Sequence, residues 1–124
     1  MVKHDVAIVR VYDDAGRQAG DYRVLVDRLW PRGKSRDAVD CDEWAKDVTP
    51  STELRRWYGH DPKRFPEFAK RYRAELNESP AVLAVSKLQK AIKARHVVLL
   101  TATRNIEHSG AVVLHDVLTG ANDR

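Results

Sequence analysis

The stretch Arg95-His96-Val97-Val98-Leu99-Leu100-Thr101-Ala102 decides the fold. Val97 to Leu100 is an unbroken apolar run, so it offers no polar face to water. Such a run suits a strand covered on both faces, the position of a central strand in a parallel sheet. The segment before it, opened by Ser79-Pro80, puts Ala81, Ala84, Val85, Leu88, Ala91 and Ile92 on one helical face and Lys87, Lys90 and Lys93 on the other. A helix that leads straight into a buried strand is a crossover, and it brings that strand parallel to an earlier one.

Upstream, Val6 to Tyr12 reads as a first strand, closed by the turn signal Asp13-Asp14-Ala15-Gly16. Tyr22 to Asp27 reads as a second, with Val24 and Val26 on one face and Leu25 on the other, hence buried on both sides. Pro31 and Gly33 end it. Lys34 to Asp40 is a polar loop, and Asp42 to Val48 a short strand or extended segment. Thr49-Pro50 predicts a helix N-cap with proline at the first helical position, and Gly59 a stop after Trp57 or Tyr58. Asp61-Pro62 repeats the start signal, but Pro66 interrupts it. A turn therefore precedes the main helix, which begins near Pro66 and aligns Phe65, Phe68, Ala69, Tyr72 and Leu76. Ala102 to His108 is a loop, and Ser109 to Leu118 a last helix ended by Gly120. The expected fold is α/β: a single three-layer domain over residues 1–124, with a small, mostly parallel sheet flanked by helices.

Length and composition agree with one ordinary domain. The chain has 124 residues, 43% of them apolar and 32% charged, with a net charge of +4. That mild surplus favours anionic partners, with small molecules bearing phosphate or carboxylate ahead of nucleic acid. The basic stretches Lys63 to Arg73 and Lys87 to Arg95 are interleaved with apolar residues, the spacing of solvated helix faces. A single cysteine, Cys41, excludes an internal disulfide and a multi-cysteine zinc site. Met1 to Arg10 has no long apolar core for a signal peptide, and no apolar run approaches the ~20 residues of a membrane span. A cytoplasmic location with no membrane partner is expected.

Ligands of open α/β sheets sit beyond the C-terminal ends of the strands. Two loops take that place. Arg28 to Arg36 carries Arg28, Trp30, Arg32, Lys34 and Arg36; Thr101 to His108 carries Thr101, Thr103, Arg104, Asn105 and His108. Parallel strands would bring them together, with arginine forks for carboxylate or phosphate and the dipole of the following helix behind them. The alternative is that these arginines pair with Asp27, Asp37, Asp47 and Glu53. Trp30 would wall such a pocket, and Trp57 reads as plain packing. Lys46-Asp47 is a candidate acid–base pair if buried together, and otherwise a surface ion pair. His60-Asp61 reads as a helix entry. His108 and His115 lack a third ligand, so no metal is expected. The chain has no P-loop, no G-x-S-x-G elbow and no cysteine-phosphatase loop, and no cofactor is expected.

Several stretches together carry a resemblance. Val26-Asp27-Arg28-Leu29-Trp30-Pro31-Arg32-Gly33, Trp44-Ala45-Lys46-Asp47, Pro50-Ser51, Glu53-Leu54-Arg55-Arg56-Trp57, His60-Asp61-Pro62, Phe68 and Tyr72 to Leu76 resemble the YeaO-like proteins of the DUF488 class. The likeness covers roughly Val6 to Leu118. It implies a compact α/β domain and supplies no reaction. The family's motif maps onto Asp27, Arg28, Trp30, Pro31, Arg32, Gly33, Trp44, Lys46, Asp47, Ser51, Leu54, Arg55, Trp57 and His60. The chain departs from the pattern at Thr101-Ala102, where the family has tyrosine-alanine, and at Ser109, where asparagine is frequent. Larger relatives carry cysteines after the last strand, which this chain lacks, so thiol chemistry is not implied.

The leading expectation is an anion or small-molecule site formed by Arg28, Trp30, Arg32, Trp44, Arg55, His60, Thr103 and Arg104. Lys46 and Asp47 would move any proton. Two alternatives are a nucleic-acid-binding or regulatory protein and an interaction module using Trp44, Trp57 and Tyr58 without catalysis. Reaction, substrate and oligomeric state stay open at this point.

Overall fold

The computed structural model describes residues 6–120. Met1–Asp5, part of the stretch judged too polar for a leader, lies outside the described residues. Strands β1 (Val6–Arg10), β2 (Tyr22–Leu25), β3 (Glu43–Trp44) and β4 (Val97–Thr101) form one sheet in the order β1-β4-β2-β3. Every pairing is parallel, with Leu99 of β4 opposite both Ile8 and Val24. All five residues of β4 are buried, as the run Val97 to Leu100 requires of an inner strand.

The pleat sends alternate residues to opposite faces. Val24, Val97 and Leu99 enter one core with the apolar sides of α1 (Thr52–Tyr58), α2 (Phe65–Leu76), α3 (Ala81–Ala94) and α4 (Gly110–Thr119). Leu25, Val98 and Leu100 enter a second core with Val11 and Val39, against which Trp30, Cys41 and Trp44 pack. The buried residues of all four α-helices belong to the first core. The layer on the second face is built instead from loop and the 3-10 turns Val11–Asp13 and Arg36–Ala38. The links on either side of β2, residues 11–21 and 26–42, carry Gly16, Gly20, Pro31 and Gly33 and form 3-10 turns but no α-helix.

Most helix ends fall where local chemistry puts them. Gly59 and Gly120 adopt the left-handed conformation after α1 and α4. Asp61 caps a 3-10 turn, Pro62–Arg64, ahead of α2. The start of α1 is a correction. Its N-cap is Ser51, not Thr49: Ser51 Oγ accepts from the Leu54 N–H at 3.1 Å and donates to Glu75 Oε2 at 2.6 Å. Thr49 turns its hydroxyl to the Lys46 carbonyl at 2.7 Å. Glu75 of α2 also accepts from the Ser51 N–H at 2.8 Å, so a tertiary contact selects between two capping residues.

One charge is buried in the sheet. Arg23 of β2 is 1% exposed, and its guanidinium bonds the Asp14 carboxylate and the Asp40 carbonyl. Beside it, Arg17 bridges Asp40 and Asp42, whose carboxyls its hydrogen bonds hold below the ordinary value. No helix among the described residues is long and apolar enough to cross a membrane.

Candidate functional site

Because β2 and β4 are parallel neighbours, the loops that leave their C-terminal ends share one cleft of about 480 Å³. The Val26 N–H still donates to the Leu100 carbonyl at 3.0 Å, so the strands stay paired up to the floor of the cleft. There Asp27 Oδ1 accepts from the Thr101 hydroxyl and Oδ2 from the Ala102 N–H, both at 2.7 Å. From the second face the Trp44 indole N–H donates to the Asp27 carbonyl at 2.7 Å. Burial raises the Asp27 carboxyl above its ordinary value, opposed by those two hydrogen bonds and by the nearby charge of Arg55.

The cleft has a positive rim. Arg28 and Arg32 come from the loop after β2 and Arg55 from α1, and Asp27 is the one acidic lining residue. None of the three arginines forms an ion pair with a carboxylate among the described residues. The pairings considered with Asp27, Asp37, Asp47 and Glu53 are thus not made. Arg28 has only a long contact, 3.4 Å, to the Thr49 hydroxyl. The N-terminus of α4 joins this rim through Ser109, Gly110 and Ala111. The Ser109 hydroxyl donates back to the Ile106 carbonyl at 2.6 Å, so no side chain caps the first N–H groups of α4.

Aromatic side chains supply the apolar wall. Tyr12 and Trp30 contribute from the β-strand side, where the Tyr12 hydroxyl donates to the Arg32 carbonyl at 2.7 Å. Tyr58 and Phe68 contribute from the helices, their rings stacked at 4.3 Å. The Tyr58 hydroxyl donates to the His108 carbonyl at 2.6 Å, which ties α1 to the loop after β4. His60 lines the cleft from a left-handed backbone, φ 59°.

Of the residues expected from sequence, Arg28, Trp30, Arg32, Arg55, His60 and Thr103 line this cleft. Trp44 stands behind it, holding the Asp27 backbone. Trp44, Lys46 and Asp47 line a separate shallow depression between β3 and α3. Lys46 and Asp47 are both exposed there, with the Lys46 ammonium 4.0 Å from the centre of the Trp44 ring. They are not buried together, which an acid–base pair would need. Arg104 is exposed and lines neither cavity. Trp57 is half-buried on the core with the Arg71 guanidinium 4.4 Å over its ring. Cys41 is half-buried on the second face, its thiol pushed up by burial.

Sequence reasoning did not single out Asp27, Tyr58, Phe68 or Tyr12 as cleft residues. For Asp27 there was a signal: an acid directly after a strand buried on both faces. His108 lines the cleft, whereas His115 contacts the Val6 carbonyl at 2.9 Å, so the two do not share a site. Among the described residues no group of three or more His, Cys, Asp or Glu is placed to hold a metal ion.

Comparison with known proteins places this chain among relatives. A family model described as the inactive DUF488-N3 subclade matches residues 5–124. An uncharacterised protein of Mycobacterium tuberculosis H37Rv is 47% identical over 116 residues, 93% of this chain and 94% of its own. The uncharacterised protein YeaO of Escherichia coli K12 is 39% identical over 109 residues, 88% of this chain and 92% of its own. No solved structure matches the chain.

Proposed function

The chain belongs to the DUF488 family, in the subclade described as inactive DUF488-N3, and from that premise we propose that its cleft binds a small anion, phosphate or carboxylate, without converting it. The observation that carries this reading is the set of Arg28, Arg32 and Arg55 on one rim with no carboxylate partner among the described residues. Surface arginines spread their charge over nearby acids at little energetic gain. Three forks around one opening, none paired with a carboxylate among the described residues, lie beside a helix N-terminus whose N-cap side chain does not cap it, and they leave strong donors for a ligand to satisfy.

The description of the subclade as inactive supports binding without turnover. The one thiol lies outside the cleft, and the Ser109 hydroxyl is engaged with a backbone carbonyl. The interaction-module alternative loses support, since Tyr58 is buried and Trp44 and Trp57 lie beneath cations.

Thermal shift and calorimetric titration with inorganic phosphate and with simple carboxylates test the reading. A ligand that binds only the folded chain adds about 2.7 kcal/mol at a hundredfold excess over Kd. Phosphate is expected to raise the melting temperature of the native chain and not that of Arg32→Ala. No shift with any anion, or equal shifts in both chains, would overturn it.

A further inference from the structure

An anion site alone does not account for a carboxylate on its floor. Asp27 faces a rim of three arginines, yet none of them takes it as an ion-pair partner. It is instead fixed from three directions: by Thr101 and Ala102 at its two oxygens and by Trp44 at its backbone. A carboxylate offers about four acceptor positions. Each oxygen therefore keeps one acceptor position without a protein donor among the described residues, where a ligand's donors can bind.

The charge around Asp27 selects the donor. An ammonium or guanidinium on the ligand would meet Arg28, Arg32, Arg55 and the positive end of α4. A neutral donor does not. Free acceptors on both oxygens of one carboxylate match the two adjacent hydroxyls of a vicinal diol. An acid just past a strand end is also where dinucleotide-binding sheets hold a ribose hydroxyl. The rest of the cleft suits a flat ring, because Tyr12 and Trp30 offer aromatic surface in front of the buried Tyr58 and Phe68. Its volume of about 480 Å³ lies within the roughly 300–1,000 Å³ range of small-molecule pockets.

We propose that the ligand is a nucleoside monophosphate, with its ribose diol on Asp27, its phosphate on Arg28, Arg32 and Arg55, and its base against the aromatic walls. This rests on the anion-site reading above and adds the identity of the ligand.

Calorimetric titration of the full chain with inorganic phosphate, ribose 5-phosphate, AMP and 2′-deoxy-AMP tests it, repeated on Asp27→Asn. On the native chain AMP is expected to bind at least about tenfold more tightly than phosphate or ribose 5-phosphate. Loss of one hydroxyl to a charged acceptor is expected to weaken 2′-deoxy-AMP by roughly tenfold to a hundredfold. In Asp27→Asn that gap closes while phosphate still binds. Equal binding of AMP and 2′-deoxy-AMP by the native chain overturns the diol contact, a gap that survives in Asp27→Asn overturns the role of Asp27, and ribose 5-phosphate equal to AMP overturns the base. In each of these cases phosphate binding leaves the anion reading standing. Failure of every probe, phosphate included, overturns both. If Asp27→Asn does not fold, the native-chain comparisons decide alone.

Discussion

The Thr101 hydroxyl donates to Asp27 Oδ1 at 2.7 Å, joining the ends of two parallel neighbours across 74 residues of sequence. The bond fixes an ionisable group in a half-buried place, at an electrostatic cost that depends on pH. Burial raises the Asp27 carboxyl from its ordinary value of 3.8, so the folded chain holds this proton to higher pH than the unfolded chain does. The Asp27 contribution to stability is fully present below the unfolded value and is lost as pH rises through the folded one. Urea unfolding of the native chain and Asp27→Asn across that window is expected to show the variant gaining relative stability as pH rises. A difference that does not change with pH would contradict the burial argument.

Trp44→Phe tests how the Asp27 backbone is held. Phenylalanine keeps a ring edge-on to Trp30, which Trp44 meets at 5.2 Å between centroids, but loses the N–H bonded to the Asp27 carbonyl. The expected cost is about 1–3 kcal/mol, the price of leaving a half-buried carbonyl unpaired. Anion affinity is expected to fall as well, although Trp44 does not line the cleft. A stability loss with unchanged affinity would mean that Asp27 keeps its position unaided.

At Gly110 two effects compete. Alanine is the better helix former by about 1 kcal/mol. However, a Cβ there would stand 3.3 Å from Tyr72 Cε2 and 3.5 Å from Pro50 Cγ. Tyr72 is 1% exposed and bonded to the Val48 carbonyl, so it has little room to yield. Overpacking of this kind costs about 1–3 kcal/mol, and Gly110→Ala is expected to destabilise. A raised denaturation midpoint would show that the ring gives way.

His60 carries a positive φ of 59° directly after Gly59. A left-handed backbone costs a residue with a side chain roughly 1–2 kcal/mol, against about 0.5–1 kcal/mol for the extra freedom that glycine loses. His60→Gly is therefore expected to raise stability by up to about 1 kcal/mol, read from the urea midpoint. A lower midpoint would assign the His60 side chain a packing role that outweighs the strain.

Arg23→Ala leaves the Asp14 carboxylate and the Asp40 carbonyl without their buried partner. Breaking a buried pair by removing one member costs about 3–5 kcal/mol. Guanidinium denaturation is expected to show a loss of that size, much larger than for an exposed pair such as Arg71–Glu67. Equal losses for the two pairs would place Arg23 effectively in water.

Several features of the fold are set by neighbouring residues and were legible along the chain. Val97 to Leu100 read as an inner strand, Val24 and Leu25 as facing opposite cores, and Gly59, Pro66 and Gly120 marked ends that backbone stereochemistry enforces. The parallel order then put the Arg28 to Arg32 loop at the C-terminal edge of the sheet, beside the loop after β4. Which residues complete the cleft depends on contacts between distant parts of the chain. Asp27 is set by Thr101 and Ala102, Ser51 displaces Thr49 as a cap because Glu75 reaches it, and Lys46 and Asp47 turn to a different surface. The buried residues of the α-helices gather on one face, while the links on either side of β2, broken by Gly16, Gly20, Pro31 and Gly33, carry only 3-10 turns. Periodicity and turn chemistry act within a few residues of chain. A hydrogen bond that spans 74 residues depends on how the strands are ordered in the sheet, and no local pattern records that order.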